Sequence, residues 1–310
     1  MRTRTLLWLL LAQLLAVLPA WAQDDLVRPV SIDGESGIQR IESAVEFLSD
    51  DSGEISFETA RESIYGPIGD GPYILTPQTW VWLHFSLRND GETALDQLVE
   101  IDIDIIDHID TYIVRADGTT GPILLGEADP IIDTPLPSRR PRLPVHLAAG
   151  ETVEFYLHVQ NISGTVVPIR VGPPSEILLE EQRFLYLNGS LLGFTILILG
   201  MSILLFYYLR ARVFLTLALM TLLIFPIRFR GLGIVKIFFA EGVDLFFLNQ
   251  GALVCMYLAR VAYVLFVADL VGIDLRRGWH RYIIWTYAGV SFLTGFDIAF
   301  TDAIPAAIGS

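Results

Sequence analysis

Two hydrophobic rhythms divide this sequence. Between Gln39 and Gly172 apolar and polar positions alternate. Val81, Leu83, Phe85 and Leu87 share one parity, with Trp80, Trp82, His84, Ser86 and Arg88 on the other. Val99, Ile101, Ile103 and Ile105 alternate with Glu100, Asp102 and Asp104. Leu143, Val145 and Leu147 alternate with Pro144 and His146, and Val153, Phe155, Leu157 and Val159 with Glu154, Tyr156, His158 and Gln160. A period of two with one apolar face predicts half-buried antiparallel strands. Asn89-Asp90-Gly91, Ala116-Asp117-Gly118, Ala149-Gly150-Glu151 and Ile162-Ser163-Gly164 supply the turns between them. Many short strands at this spacing predict an all-β sandwich of jelly-roll type. Pro-rich Pro130 to Pro144, with Arg139, Arg140 and Arg142, reads as a long connection.

The second rhythm is continuous. Leu185 to Tyr208 carries no charge and has no polar stripe to show to water. As a helix it measures about 36 Å, enough to cross a bilayer core of about 30 Å. Further spans are expected from Val213 to about Ile227, with an extension through Gly233 open, then from Leu245 to Ala268 and from Tyr282 to Phe300. An α-helical transmembrane bundle of about four helices therefore follows the sandwich. The connectors Arg210 to Arg212 and Gly272 to Arg281 hold Arg210, Arg212, Arg276, Arg277 and Arg281. The intervening connector holds Arg228, Arg230 and Lys236, offset by Glu241 and Asp244. This bias puts the sandwich outside the cell.

The amino terminus predicts the same orientation. Arg2 and Arg4 precede an apolar run from Leu6 to Leu18, and Ala20-Trp21-Ala22 is a small-x-small cleavage site. Residues 1–22 thus read as a secretory signal peptide and 23–38 as a polar leader. Residues 39–183 read as the periplasmic sandwich and 184–310 as the membrane helices.

Composition narrows the function classes. From Asp24 to Arg183 there are 29 acidic residues against 10 arginines, a balance of -19. Such an excess excludes nucleic acid, whose phosphates need a basic footprint. It also disfavours close adhesion to anionic lipid. Cys255 is the sole cysteine and falls in an apolar segment, so no disulfide braces the exported domain.

The order of these strand motifs carries a likeness. Trp82-Leu83-His84-Phe85-Ser86-Leu87-Arg88-Asn89 is followed by Leu98-Val99-Glu100-Ile101, then by Ile106-Asp107-His108-Ile109-Asp110-Thr111-Tyr112. Arg139 or Arg140, Leu143-Pro144-Val145, Ala149-Gly150-Glu151 and Phe155-Tyr156-Leu157-His158-Val159 complete the series. This order resembles the type 2 extracellular domain of bacterial seven-transmembrane receptors with diverse intracellular signalling modules. Arg230-Gly231-Leu232-Gly233, after the second span, extends the resemblance into the membrane part. His84 departs from it, since arginine is the more frequent residue there. The resemblance implies a periplasmic sensor in the inner membrane, a carbohydrate-type ligand, and a cytoplasmic output such as a histidine kinase or diguanylate cyclase. Neither output is present in the 310 residues, which read as the input half of a longer protein or a truncated product of one.

Candidate chemistry gathers on the polar parity. Trp80, Trp82, His84, Arg88, Tyr156 and His158 could share a sheet face, joined by Glu100, Asp102 and Asp104 if their strand is a neighbour. Indoles flanked by carboxylates and arginine suit a sugar, whose C–H face lies on the ring while its hydroxyls bond the charged groups. The competing reading makes both indoles packing residues and the acids a solvated outer face. The histidine spacing matches no zinc pattern, and alternate strand positions spread Asp102 and Asp104 too far for calcium, so no metal or other cofactor is expected. Arg260 lies inside the third expected span. It either snorkels to the inner interface or pairs in the bundle with Asp269 or Asp297 as a signal-relay residue.

No nucleophile–base pair or phosphate loop argues for an enzyme. The expected function is a membrane signal receptor input module that senses a small ligand; its partners are that ligand and membrane lipid, with a homodimer one arrangement open to it. The alternatives are a polytopic transporter or membrane enzyme with an accessory sandwich, and an envelope structural or adhesion protein.

Overall fold

The computed structural model describes residues 29–69, 71–127, 134–161, 164–233, 245–273 and 278–301. The expected signal peptide and the turn at Ile162 and Ser163 lie outside these residues, as do the side chains of Asn249, Gln250 and Asp297. The strands are β1 (Val30–Ile32), β2 (Gln39–Arg40), β3 (Glu46–Asp50), β4 (Gly66–Pro67), β5 (Tyr73–Leu75), β6 (Trp80–Asn89) and β7 (Leu95–Ile101). They continue as β8 (His108–Arg115), β9 (Gly118–Leu124), β10 (Arg142–Leu147), β11 (Thr152–Gln160), β12 (Thr165–Val167) and β13 (Ile169–Gly172). The helices are α1 (Phe57–Glu62), α2 (Pro174–Leu209), α3 (Arg212–Gly231), α4 (Leu245–Val271) and α5 (His280–Thr301).

Two sheets face each other across the apolar parity. The first has the order β4-β3-β6-β11-β8-β9, with β1 pairing parallel to the end of β6; the second has the order β10-β7-β13-β2. Consecutive strands change sheets between β6 and β7, β7 and β8, β9 and β10, and β10 and β11. That interleaving is the jelly-roll connectivity expected from the turn spacing, with β6 as an added strand in the middle of the first sheet. Val81, Leu83, Phe85 and Leu87 meet Val153, Phe155, Leu157 and Val159 in the core, where the Phe85 and Phe155 rings stack at 5.0 Å. Val99, Ile101, Leu143, Val145 and Leu147 close it from the second sheet.

Three sequence expectations change. Within the polar leader, Val30–Ile32 is a strand, because β6 is long enough to offer its last three residues a partner after β3 has ended. The alternation beyond Ile101 is not strand: the chain turns there, and the Asp102 N–H donates to Pro168 O at 2.9 Å. The sandwich also contains a helix, α1, capped where the Thr59 N–H donates to the Ser56 hydroxyl at 3.3 Å.

Beyond β13 the chain is helical. Three helices among the described residues are long and apolar enough to cross a membrane: Pro174–Leu209, Arg212–Gly231 and Gly251–Val271. The fourth expected span is also a helix, α5. α2 packs on α3, α3 on α4 and α4 on α5. Phe194, Leu197, Ile203, Tyr207 and Tyr208 of α2 remain exposed, an apolar surface suited to lipid. The expected first span is the inner two-thirds of α2, whose first turns lie on the outer face of the second sheet beside β7.

Candidate functional site

The nine residues expected on one face divide between two, because β6 and β11 belong to the first sheet and β7 to the second. Both outer faces are covered, one by α1 and the other by α2.

On the first face, cross-strand register sets His158 opposite Trp82 and Tyr156 opposite His84. The His158 imidazole lies against both indoles, 4.4 Å from Trp80 and 4.4 Å from Trp82. It bonds through Nε2 to Asp50 Oδ2 at 3.1 Å. Burial is the main influence on His158 and holds its pKa below the ordinary 6.5, against the opposing pull of Asp50 and Asp110. The ring is therefore neutral at pH 7 and donates from Nε2. Burial raises the pKa of Asp50, but hydrogen bonds from Ser52, Ile55 and Gly53 and the nearby His158 outweigh it, so the carboxylate stays ionised. Asp50 thereby pins the segment that leads into α1.

That segment covers the face. Trp82 is 1% exposed, and its Nε1–H donates to Ile55 O at 3.2 Å. Phe57 of α1 stacks on Tyr112 at 4.3 Å and meets Tyr156 edge-on at 5.6 Å. Exposing an indole of roughly 200 Å² at about 25 cal/mol per Å² would cost about 5 kcal/mol, so Trp82 packs here as a core residue. Trp80 is half-buried, with Gly53 against its pyrrole edge; the left-handed φ of +71° and the nearness of that ring both require glycine there. His84 stacks on Tyr156 at 4.5 Å and bonds Glu46 through Nδ1 at 3.2 Å. Arg88 lies apart from this cluster, exposed and paired with Asp90 at 2.8 Å.

The second face holds the carboxylates. Glu100 is fully buried between its two register partners, Arg142 of β10 and Arg170 of β13. It accepts from Arg142 Nε at 2.9 Å and from Arg170 Nε at 2.6 Å. Asp102 pairs with Arg140, and Asp104 with Arg139 at 2.9 Å. The first turns of α2 complete the cluster. Glu180 accepts from Arg170 Nη1 at 2.7 Å, and Glu181 from Arg142 Nη2 at 3.0 Å and Arg139 Nε at 3.2 Å. Burial pushes the Glu181 pKa up, but Arg139, Arg142 and Arg140 prevail and keep it below the ordinary carboxylate value. Arg142, Arg170, Glu180 and Glu181 were not among the sequence candidates. The signal that reveals them is register: once β10 and β13 flank β7, an arginine stands opposite Glu100 on either side.

Arg260 is exposed on α4, its guanidinium 4.9 Å above the Tyr257 ring. The expected partner Asp269 instead accepts from the Thr216 hydroxyl at 3.2 Å. Asp269 lies nine residues along α4 from Arg260, about 13 Å by helix rise, which puts it out of reach.

Residues 42–172 match the 7TMR-DISM extracellular 2 family. The match ends at Gly172, the last residue of β13 and two residues before α2. No curated protein matches the chain. A sandwich similar to the 7TMR-DISM extracellular 2 family, followed by three helices long and apolar enough to span a membrane, fits the input module of a membrane receptor with an outward-facing amino-terminal domain.

Proposed function

We propose that this chain is the input module of a bacterial inner-membrane signal receptor. The 7TMR-DISM extracellular 2 domain stands in the periplasm and meets a small carbohydrate-like ligand. Multi-pass helices then carry its state toward a cytoplasmic output. The observation that supports the relay is the join after β13, where Pro173 alone separates the last strand from a 36-residue helix. That helix measures about 54 Å, enough to run from the sandwich through a bilayer without interruption. Arg142 and Arg170 bond Glu100 of β7 on one side and Glu181 and Glu180 of α2 on the other. A displacement of the sandwich therefore has no slack in which to dissipate.

For the ligand, the supporting feature is the half-buried end of the first face, beyond α1. Trp80, Gln160 and His108 are neighbours across β6, β11 and β8, all half-buried, with Asp110 two residues along β8. An indole edge among amide, imidazole and carboxylate groups suits a polar ring. The test is a glycan array probed with the full chain in nanodiscs, followed by calorimetry of each hit on wild type and Trp80→Ala. A glycan that binds and loses about tenfold, or about 1.4 kcal/mol, in Trp80→Ala supports the reading. An array without a hit removes the carbohydrate ligand and leaves the receptor reading to its topology.

A further inference from the structure

Arg139 sits where four parts of the molecule converge. It belongs to the connection between β9 and β10, and its side chain is 5% exposed. Nη1 donates to Asp104, beyond β7, at 2.9 Å, and Nε donates to Glu181 of α2 at 3.2 Å. The guanidinium carbon lies 4.2 Å from the centre of the Phe184 ring, one helical turn further along α2. On its other side the aliphatic stem lies against Gly233, just past α3, where a Cβ would fall 2.7 Å from Arg139 Cγ. Gly233 has φ +65°, so conformation and space both require glycine. The same connection meets α3 a second time, with Glu127 4.0 Å from Arg230.

We propose that Arg139 is a coupling residue that fixes the outer ends of α2 and α3 together against the sandwich, so that a shift of the β9–β10 connection displaces both helices. This rests on the receptor reading above and adds the point at which motion is transmitted. The guanidinium is planar, and its donors serve Asp104 and Glu181 at once, so moving one carboxylate turns the whole group. Burial keeps water from replacing a broken bond. Without the positive charge, Asp104 loses this partner and Glu181 keeps Arg142 alone, so the tie between the segment beyond β7 and α2 is cut and the two carboxylates repel. The neighbouring arginines act more narrowly. Arg142 reaches Glu100 and Glu181, and Arg140 reaches Asp102 and Glu100. Arg139 is also the arginine whose stem meets the segment after α3.

The test uses the full chain in nanodiscs, in a Cys255→Ser background, with spin labels at exposed positions. One label pair joins Asp117→Cys in the sandwich to Arg183→Cys on α2; the other joins Asp117→Cys to Arg228→Cys on α3. Pulsed electron resonance then compares Arg139 with Arg139→Gln. Both mean distances are expected to shift by about 1–2 Å, the scale of helix displacements at packed interfaces. A shift in one pair alone, or in neither, overturns the proposal. If Arg139→Gln fails to fold, Arg139→Lys decides by the same criterion, because an ammonium keeps the charge but loses the planar fork and the flat contact with Phe184. Unchanged distances in a chain whose sandwich faces outward would defeat the coupling and leave the receptor reading standing. A sandwich that faces the cytosol would defeat the reading itself.

Discussion

Glu100→Gln isolates the charge at the centre of the second face. The glutamate is fully buried, and its two oxygens accept from Arg142 and Arg170 on the flanking strands. Glutamine preserves the shape but presents an N–H to one guanidinium and neutralises the charge that both had been paired with. Breaking a buried ion pair by removing one partner costs about 3–5 kcal/mol. Here each arginine keeps a second carboxylate, Arg142 at Glu181 and Arg170 at Glu180, so the expected loss is at the lower end, about 3 kcal/mol. Urea unfolding of the full chain in nanodiscs, followed by tryptophan fluorescence, reads this directly because Trp82 is buried in the same domain. Arg88→Gln is the control: its pair with Asp90 is half-exposed and is worth no more than about 1 kcal/mol. Equal, small losses in the two variants would refute the claim that Glu100 anchors a desolvated joint.

The remaining predictions concern pH and the membrane. Because burial depresses the His158 pKa in the folded chain, the unfolded chain takes up the proton first as pH falls through 6.5. Stability should therefore decline as pH falls below 6.5, and His158→Gln should flatten that decline; an unchanged slope would rule out the buried imidazole as its cause. Asp50 acts lower, since its folded pKa is depressed from 3.8: its contribution is present above that value and is lost as pH falls below it, so Asp50→Asn should shallow the acid limb of the melting profile, to which Glu181 also contributes. Arg260→Leu should leave the unfolding of the bundle within about 0.5 kcal/mol of wild type, because its guanidinium lies over Tyr257 on an exposed face; a loss of several kcal/mol would mean that the arginine is paired within the membrane.

The strands were legible because alternation reports a physical asymmetry: one face of each sheet meets the other sheet, and Val81, Leu83, Phe85 and Leu87 obey it without exception. Parity tells which side a residue leaves by, and it does not tell whether that side is wet. Trp82 and Glu100 both point away from the sandwich core, and both are buried because α1 and α2 lie on those outer faces. α1 is six residues long, too short to leave a helical period against a background of strands. The strand ending at Ile101 was equally hidden, since Asp102 and Asp104 extend the alternation while their carboxylates are drawn onto Arg140 and Arg139. Sheet membership decided the rest. Sequence order makes β6 and β7 adjacent, but the jelly-roll crossing puts them in different sheets and parts the indoles from the acids.

The measurement that bears most directly on the account is the side of the membrane on which the sandwich stands. Asp117→Cys in a Cys255→Ser chain offers one exposed thiol at the turn between β8 and β9. On an outward-facing sandwich, a membrane-impermeant maleimide labels it fully in intact spheroplasts. Labelling that requires lysis would contradict an outward-looking sensor.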